Sequence, residues 1–140
     1  MILMWIVIIL VVILILGKFF WDRNKMEREI MNKGGMKVVY GELISRLMEI
    51  HPKSKIFHEK PSYISLGVAD SFTVTLFELM ATFGFLTITY SVSSNIFGKH
   101  KLQWEFEDGE NPEFIIYKID MDIESYMKNK IEKFKDLKIK

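Results

Sequence analysis

Cysteine is absent from the 140 residues. That excludes disulfides, thiolate nucleophiles and every cysteine-based metal site, and it is consistent with a reducing compartment. Histidine is sparse: His51, His58 and His100 are the only three. No two of them stand at helical i,i+4 spacing, so a zinc site of the H-E-x-x-H kind is excluded. The phosphate loop, the G-x-G-x-x-G fingerprint and the G-x-S-x-G elbow are also missing. Ser125 and Lys128 have S-x-x-K spacing, but the companion S-D-N and K-T-G motifs are lacking. Charge is missing altogether from Met1 to Gly17.

That uncharged stretch is almost entirely Ile, Leu, Val, Met and Trp. At about 1.5 Å per helical residue, Met1–Trp21 covers roughly 31 Å, close to the ~30 Å hydrocarbon core of a bilayer. The last turn, Lys18-Phe19-Phe20-Trp21, suits the membrane interface: lysine extends its ammonium to the headgroups and aromatic rings collect there. These four are the expected membrane-interface residues. No basic residue precedes the run and no small-residue cleavage site follows it, so a retained signal-anchor is expected rather than a cleaved signal peptide. The run has no polar face on which to lie along a surface. Lys18, Arg23, Lys25, Arg28, Lys33 and Lys37 all follow the run. Positive charge stays in the cytoplasm, so the reading is a single-pass protein of the cell membrane, N-terminus outside and C-terminal domain inside.

Four segments are expected: a transmembrane anchor at 1–21, a polar stalk with a Gly-Gly hinge at 22–35, a soluble domain at 36–134 and a basic frayed tail at 135–140. Met26 and Ile30 share one face of the stalk helix. Gly34-Gly35 interrupts it, each glycine costing about 1 kcal/mol against alanine in a helix. Met36, where the domain pattern begins, is also a candidate internal start.

Within the domain, Met36–Ile50 has apolar residues at three- and four-residue steps: Val39, Tyr40, Leu43, Ile44, Leu47 and Met48. His51-Pro52 ends this helix. Strands follow. Ile56-Phe57 opens one, with His58–Ser62 as a turn. Tyr63–Val68, Phe72–Phe77, Phe85–Ser93 and Lys101–Glu107 each alternate with period two, which marks an antiparallel sheet with one dry and one wet face. Phe72, Val74 and Leu76 are read onto the dry face, and Glu78–Gly84 as irregular, with a bulge before Gly84. Asn111 is an N-cap with Pro112 at the first helical position. The closing helix runs to about Phe134 along Ile116, Ile119, Ile123, Tyr126 and Met127, with Ile115 beside them.

The fold class is therefore α+β: a transmembrane helix, then a two-layer sandwich of about four antiparallel strands with two helices on one face, in the order α-β-β-β-β-α. The body from Val38 to Met127 is acidic on balance and the flanks are basic, which excludes the basic face of a nucleic-acid binder. The acidic run Glu105, Glu107, Asp108, Glu110 and Glu113 lacks the spacing of a calcium loop. No cofactor, metal or catalytic set is assigned. The wet face places Thr73, Thr75, Thr87, Thr89, Ser91 and Ser93 together, an uncharged patch that is cheap to desolvate and a candidate docking face for a protein partner. The leading expectation is a membrane-anchored binding module. Two alternatives are an enzyme acting on a membrane-proximal substrate through a pocket using His100, Asp70 or Glu78, and a structural subunit of a membrane complex. The latter lacks small-x-x-x-small spacing in its helix.

Overall fold

The computed structural model describes residues 1–139. A 31-residue helix, α1 (Ile2–Asn32), runs without interruption through the apolar stretch, the aromatic turn and the stalk. It contains no proline, so nothing breaks its hydrogen-bond ladder. By length and composition it is able to cross a membrane, and none of its apolar window is buried in the protein.

The glycine pair forms a fixed helix stop. Gly35 N–H donates to Ile30 C=O at 2.8 Å and Gly34 N–H to Met31 C=O at 3.1 Å, the paired bonds of a Schellman motif. Gly34 has φ of +107°, a left-handed conformation that costs glycine little. On the turn before it, Ile30 is buried in the domain core and Met26 packs against the same core.

A short helix, α2 (Met36–Val39), and α3 (Gly41–Glu49) follow. The expected single helix over Met36–Ile50 is thus divided at Tyr40, whose φ and ψ are −112° and 26°. The reason is local and tertiary together. Gly41 is a weak helix former, and the Tyr40 hydroxyl is drawn to Asp108 Oδ1 at 3.0 Å.

Five strands then form one antiparallel sheet in sequence order: β1 (Lys55–Lys60), β2 (Tyr63–Ala69), β3 (Thr73–Thr82), β4 (Phe85–Ser94) and β5 (Gly98–Glu107). The strand count is five rather than about four, because β1 continues through His58 where a turn is expected. The irregularity sits in β1, between Ile56 and His58. No bulge precedes Gly84: β3 and β4 pair without a shift from Thr73 opposite Ser94 to Thr82 opposite Phe85.

That continuous register corrects the faces of β3. Phe77, Leu79 and Ala81 are buried, and strict alternation from them puts Thr73 and Thr75 on the core side and Val74 and Leu76 on the other. The sequence carries two apolar alternations out of phase, Val74/Leu76 and Phe77/Leu79. The longer one, facing the helices, sets the register.

The core joins Ile64 and Leu66 of β2, Phe77, Leu79 and Ala81 of β3, Leu86, Ile88 and Tyr90 of β4, and Phe106 of β5. Ile30 of α1, Met36 of α2, Leu43, Ile44 and Leu47 of α3, and Ile115 and Ile119 of the last helix, α4 (Pro112–Ile139), complete it. Asn111 Oδ1 accepts the Glu113 N–H at 2.9 Å and caps α4. Arg46 Nη2, 3.1 Å from Glu113 Oε1, bridges α3 to α4. At about 1.5 Å per residue, α4 spans roughly 42 Å, against about 34 Å for a ten-residue strand, so its C-terminal turns overrun the sheet. The helix continues past Phe134 to Ile139, and Lys140 lies outside the described residues.

Candidate functional site

The sheet face away from the core is open. Cross-strand partners share a face, and the register therefore lays out rows across it. Lys60, Tyr63, Met80, Thr87 and Glu105 make one row, and His58, Ser65, Glu78, Thr89 and Gln103 the next. Lys55, Gly67, Leu76, Ser91 and Lys101 follow, then Ala69, Val74, Ser93 and Lys99. The sequence-derived patch is thus split. Thr87, Thr89, Ser91 and Ser93 form a line along β4 on this face, whereas Thr73 and Thr75 lie on the helix side, opposite Ser94 and Val92. Their places beside the β4 line are taken by Val74, Leu76, Glu78 and Met80, of which Val74 and Met80 are exposed. The open surface is consequently more apolar at its centre than the threonine pattern implies.

Two features make its β2 side firm. Tyr63 Oη donates to Glu78 Oε1 at 2.7 Å across the β2–β3 pair. Burial and the Glu78 carboxylate hold the phenol above its ordinary value, against an opposing pull from the Ser65 hydroxyl. Gly67 comes so close to β3 that a Cβ there would run into the Thr75 carbonyl oxygen.

The residues of the catalytic alternative do not converge. Asp70 Oδ1 accepts the N–H groups of Phe72 and Thr73, both at 2.8 Å, closing the β2–β3 turn. These bonds lower its carboxyl value. Glu78 belongs to the open face and is engaged by Tyr63. His100 lies on the core side of β5. Its Nδ1 is 2.7 Å from Tyr126 Oη and its Nε2 2.7 Å from the Phe97 carbonyl oxygen. Both ring nitrogens are therefore occupied. His100 does border a cavity of about 730 Å³ between the β4–β5 turn and α4, lined also by Val92, Ile96, Phe97, Met127 and Ile131. His58 and His100 stand on opposite edge strands, and His51 is in the loop after α3. Among the described residues no cluster of three metal-ligating side chains forms.

The acidic run is dispersed. Asp108 accepts from Tyr40, Glu113 meets Arg46, and Glu105 faces the open side of the sheet. Burial, then Asp108, push the Tyr40 phenol far above its ordinary value.

The residues expected at a membrane interface, Lys18, Phe19, Phe20 and Trp21, are all exposed on α1. The Phe19 ring meets Phe20 edge-on at 6.0 Å and Phe83 at 5.4 Å. Phe83 is a residue that the sequence pattern passes over. It sits at the tip of the β3–β4 hairpin with φ of +39°, beside Gly84 at +84°. Two left-handed residues in a two-residue turn favour Asn-Gly, and a bulky residue there costs on the order of 1–3 kcal/mol. Phe83 N–H lies 3.1 Å from Met26 Sδ, and Ser62 Oγ of the β1–β2 turn donates to Glu27 Oε1 at 3.3 Å. Two hairpin tips thus hold the stalk. The sequence signal that marks this contact is the aromatic residue in a Thr-Phe-Gly-Phe turn.

Compared with known proteins, the chain matches no protein-family model, no curated protein and no solved structure.

Proposed function

We propose that this chain is a single-pass membrane protein whose small α+β domain, in the cytoplasm, binds a protein partner on its open sheet face and holds it at the bilayer, without catalysis. The anchor is α1 up to Trp21, oriented N-terminus outside by the basic residues that follow it. The domain reads as a two-layer arrangement, with α3 and α4 on the core side and the open face presented to the partner. One observation carries the reading: Thr87, Thr89, Ser91 and Ser93 run in line beside Val74, Leu76 and Met80. Such a surface has an apolar centre. Its charged residues stand mainly on the two edge strands, Lys55 and Lys60 on β1 and Lys99, Lys101, Glu105 and Glu107 on β5, with Glu78 inside bonded to Tyr63. An apolar centre with a polar rim is the anatomy of an interface.

In-cell photocrosslinking tests this. A photoreactive residue at Ser91 is expected to give a discrete protein adduct, and one at Lys118 on α4 to give none. Thr87→Lys with Thr89→Lys should abolish the adduct. If Ser91 gives only lipid or diffuse products, or if the double lysine variant leaves the adduct intact, the docking role is wrong. Protease added to intact cells should leave the domain undigested; its digestion would reverse the orientation.

A further inference from the structure

We infer that the tip of the β3–β4 hairpin, Phe83 to Phe85, is seated in the same lipid interface as the last turn of α1, so that the domain touches the bilayer at a second point. The inference rests on the anchoring role proposed for α1. It follows from depth. If the apolar run crosses the membrane, Phe19 lies at its inner boundary, because Ile2 to Phe19 covers about 26 Å of rise against a ~30 Å core. The Phe83 ring is 5.4 Å from that of Phe19, so it lies at the same level to within a ring's width. Its backbone N–H is held by Met26 Sδ, about two turns further along α1, so the ring reaches back from there toward Phe19.

The residues at the tip suit that medium. Phe83 and Phe85 are 41% and 44% exposed, large rings that the protein interior does not take up. Phe83 occupies a left-handed turn position where a small polar residue is favoured. Its ring packs against that of Phe19, in the exposed aromatic turn that also carries Phe20 and Trp21. Aromatic rings in this setting partition to the headgroup level. The neighbours set a limit on depth: Glu107 pairs with Phe85 in the sheet, and Asp108 N–H donates to the Gly84 carbonyl. Two carboxylates this close keep the tip among the headgroups and out of the hydrocarbon.

The absence of cysteine makes the test direct. Single variants Val12→Cys, Phe72→Cys, Phe83→Cys and Phe85→Cys of the full chain are nitroxide-labelled and reconstituted in phosphatidylcholine–phosphatidylglycerol vesicles. Collision with oxygen is compared with collision with a water-soluble nickel chelate. Phe72 is exposed in the β2–β3 turn, at the sheet end opposite the hairpin, and serves as the aqueous reference. Positions 83 and 85 are expected to lose nickel accessibility relative to 72 and to gain oxygen accessibility, at a depth shallower than 12. Labels at 83 and 85 that match 72 while 12 reads deep would overturn the inference and leave the anchoring intact. A label at 12 as nickel-accessible as 72 would overturn the anchoring reading, and this inference with it. Circular dichroism of each variant guards against misfolding, and the label at 85 reports on the tip even where replacing Phe83 loosens its turn.

Discussion

The indole Nε1–H of Trp104 donates to Asp122 Oδ2 at 2.7 Å, tying edge strand β5 to α4. Lys118 Nζ reaches the other carboxylate oxygen at 3.4 Å. The Trp104 bond, then Lys118, hold the Asp122 carboxyl below its usual range. Because the folded value is the lower one, the contribution to stability is complete above the unfolded value of about 3.9 and is lost as pH falls through the folded value. The indole proton resonance of Trp104 should therefore shift in acid, below the ordinary carboxylate range, while those of Trp5 and Trp21 do not follow the same titration. In Asp122→Asn the acid shift should vanish. Proton NMR of the chain in micelles measures both.

Gly67 is expected to be the least replaceable glycine. Alanine there drives a Cβ into the Thr75 carbonyl, and neither strand can yield without breaking the β2–β3 ladder. A loss on the order of 2–4 kcal/mol is expected for Gly67→Ala. Gly17, which has open space around it, should accept alanine with no loss. Denaturant midpoints in detergent give the comparison.

Ile30 belongs to the core although it sits on the same helix as the exposed apolar run. Ile30→Ala should cost about 2–4 kcal/mol, whereas Ile9→Ala, on the exposed apolar run, should leave the unfolding of the domain unchanged. Limited proteolysis should quicken around Asn32–Gly35 in the first variant only.

At Gly34, alanine meets two penalties. Its φ is +107°, and the added Cβ would lie 2.8 Å from Val38 Cγ2. At Gly35 the φ is +87° with nothing within 4 Å, so only backbone strain is added. Thermal unfolding should rank Gly34→Ala below Gly35→Ala, with losses on the order of 1–3 kcal/mol.

Periodicity made the α+β class legible, together with the dry faces of β2, β4 and β5 and the cap of α4 at Asn111. Each of these is set by local alternation or local hydrogen bonding. The phase of β3 was not legible, because Thr-Val-Thr-Leu-Phe-Glu-Leu holds two competing alternations and only the helices packed against Phe77 and Leu79 choose between them. That choice moved Thr73 and Thr75 away from the other four residues of the patch. β1 is longer than its sequence signal because Lys55–Lys60 is an edge strand with mostly exposed side chains, and its identity comes from pairing with β2. The division at Tyr40 needs Asp108, distant in sequence. The Phe83–Phe19 contact needs the hairpin and α1 side by side; the Thr-Phe-Gly-Phe turn marks Phe83 as an unusual turn residue but does not name its partner.

The docking of Met26 and Ile30 and the glycine stop have a mechanical result. The apolar run and the domain share one unbroken helix whose far end is fixed in the core, so they turn as a lever with no free joint. With α1 as the proposed anchor, a bilayer thicker or thinner than the apolar run would change the tilt of the helix. The sheet would then swing through the same angle, and membrane thickness would reach the protein surface as an orientation.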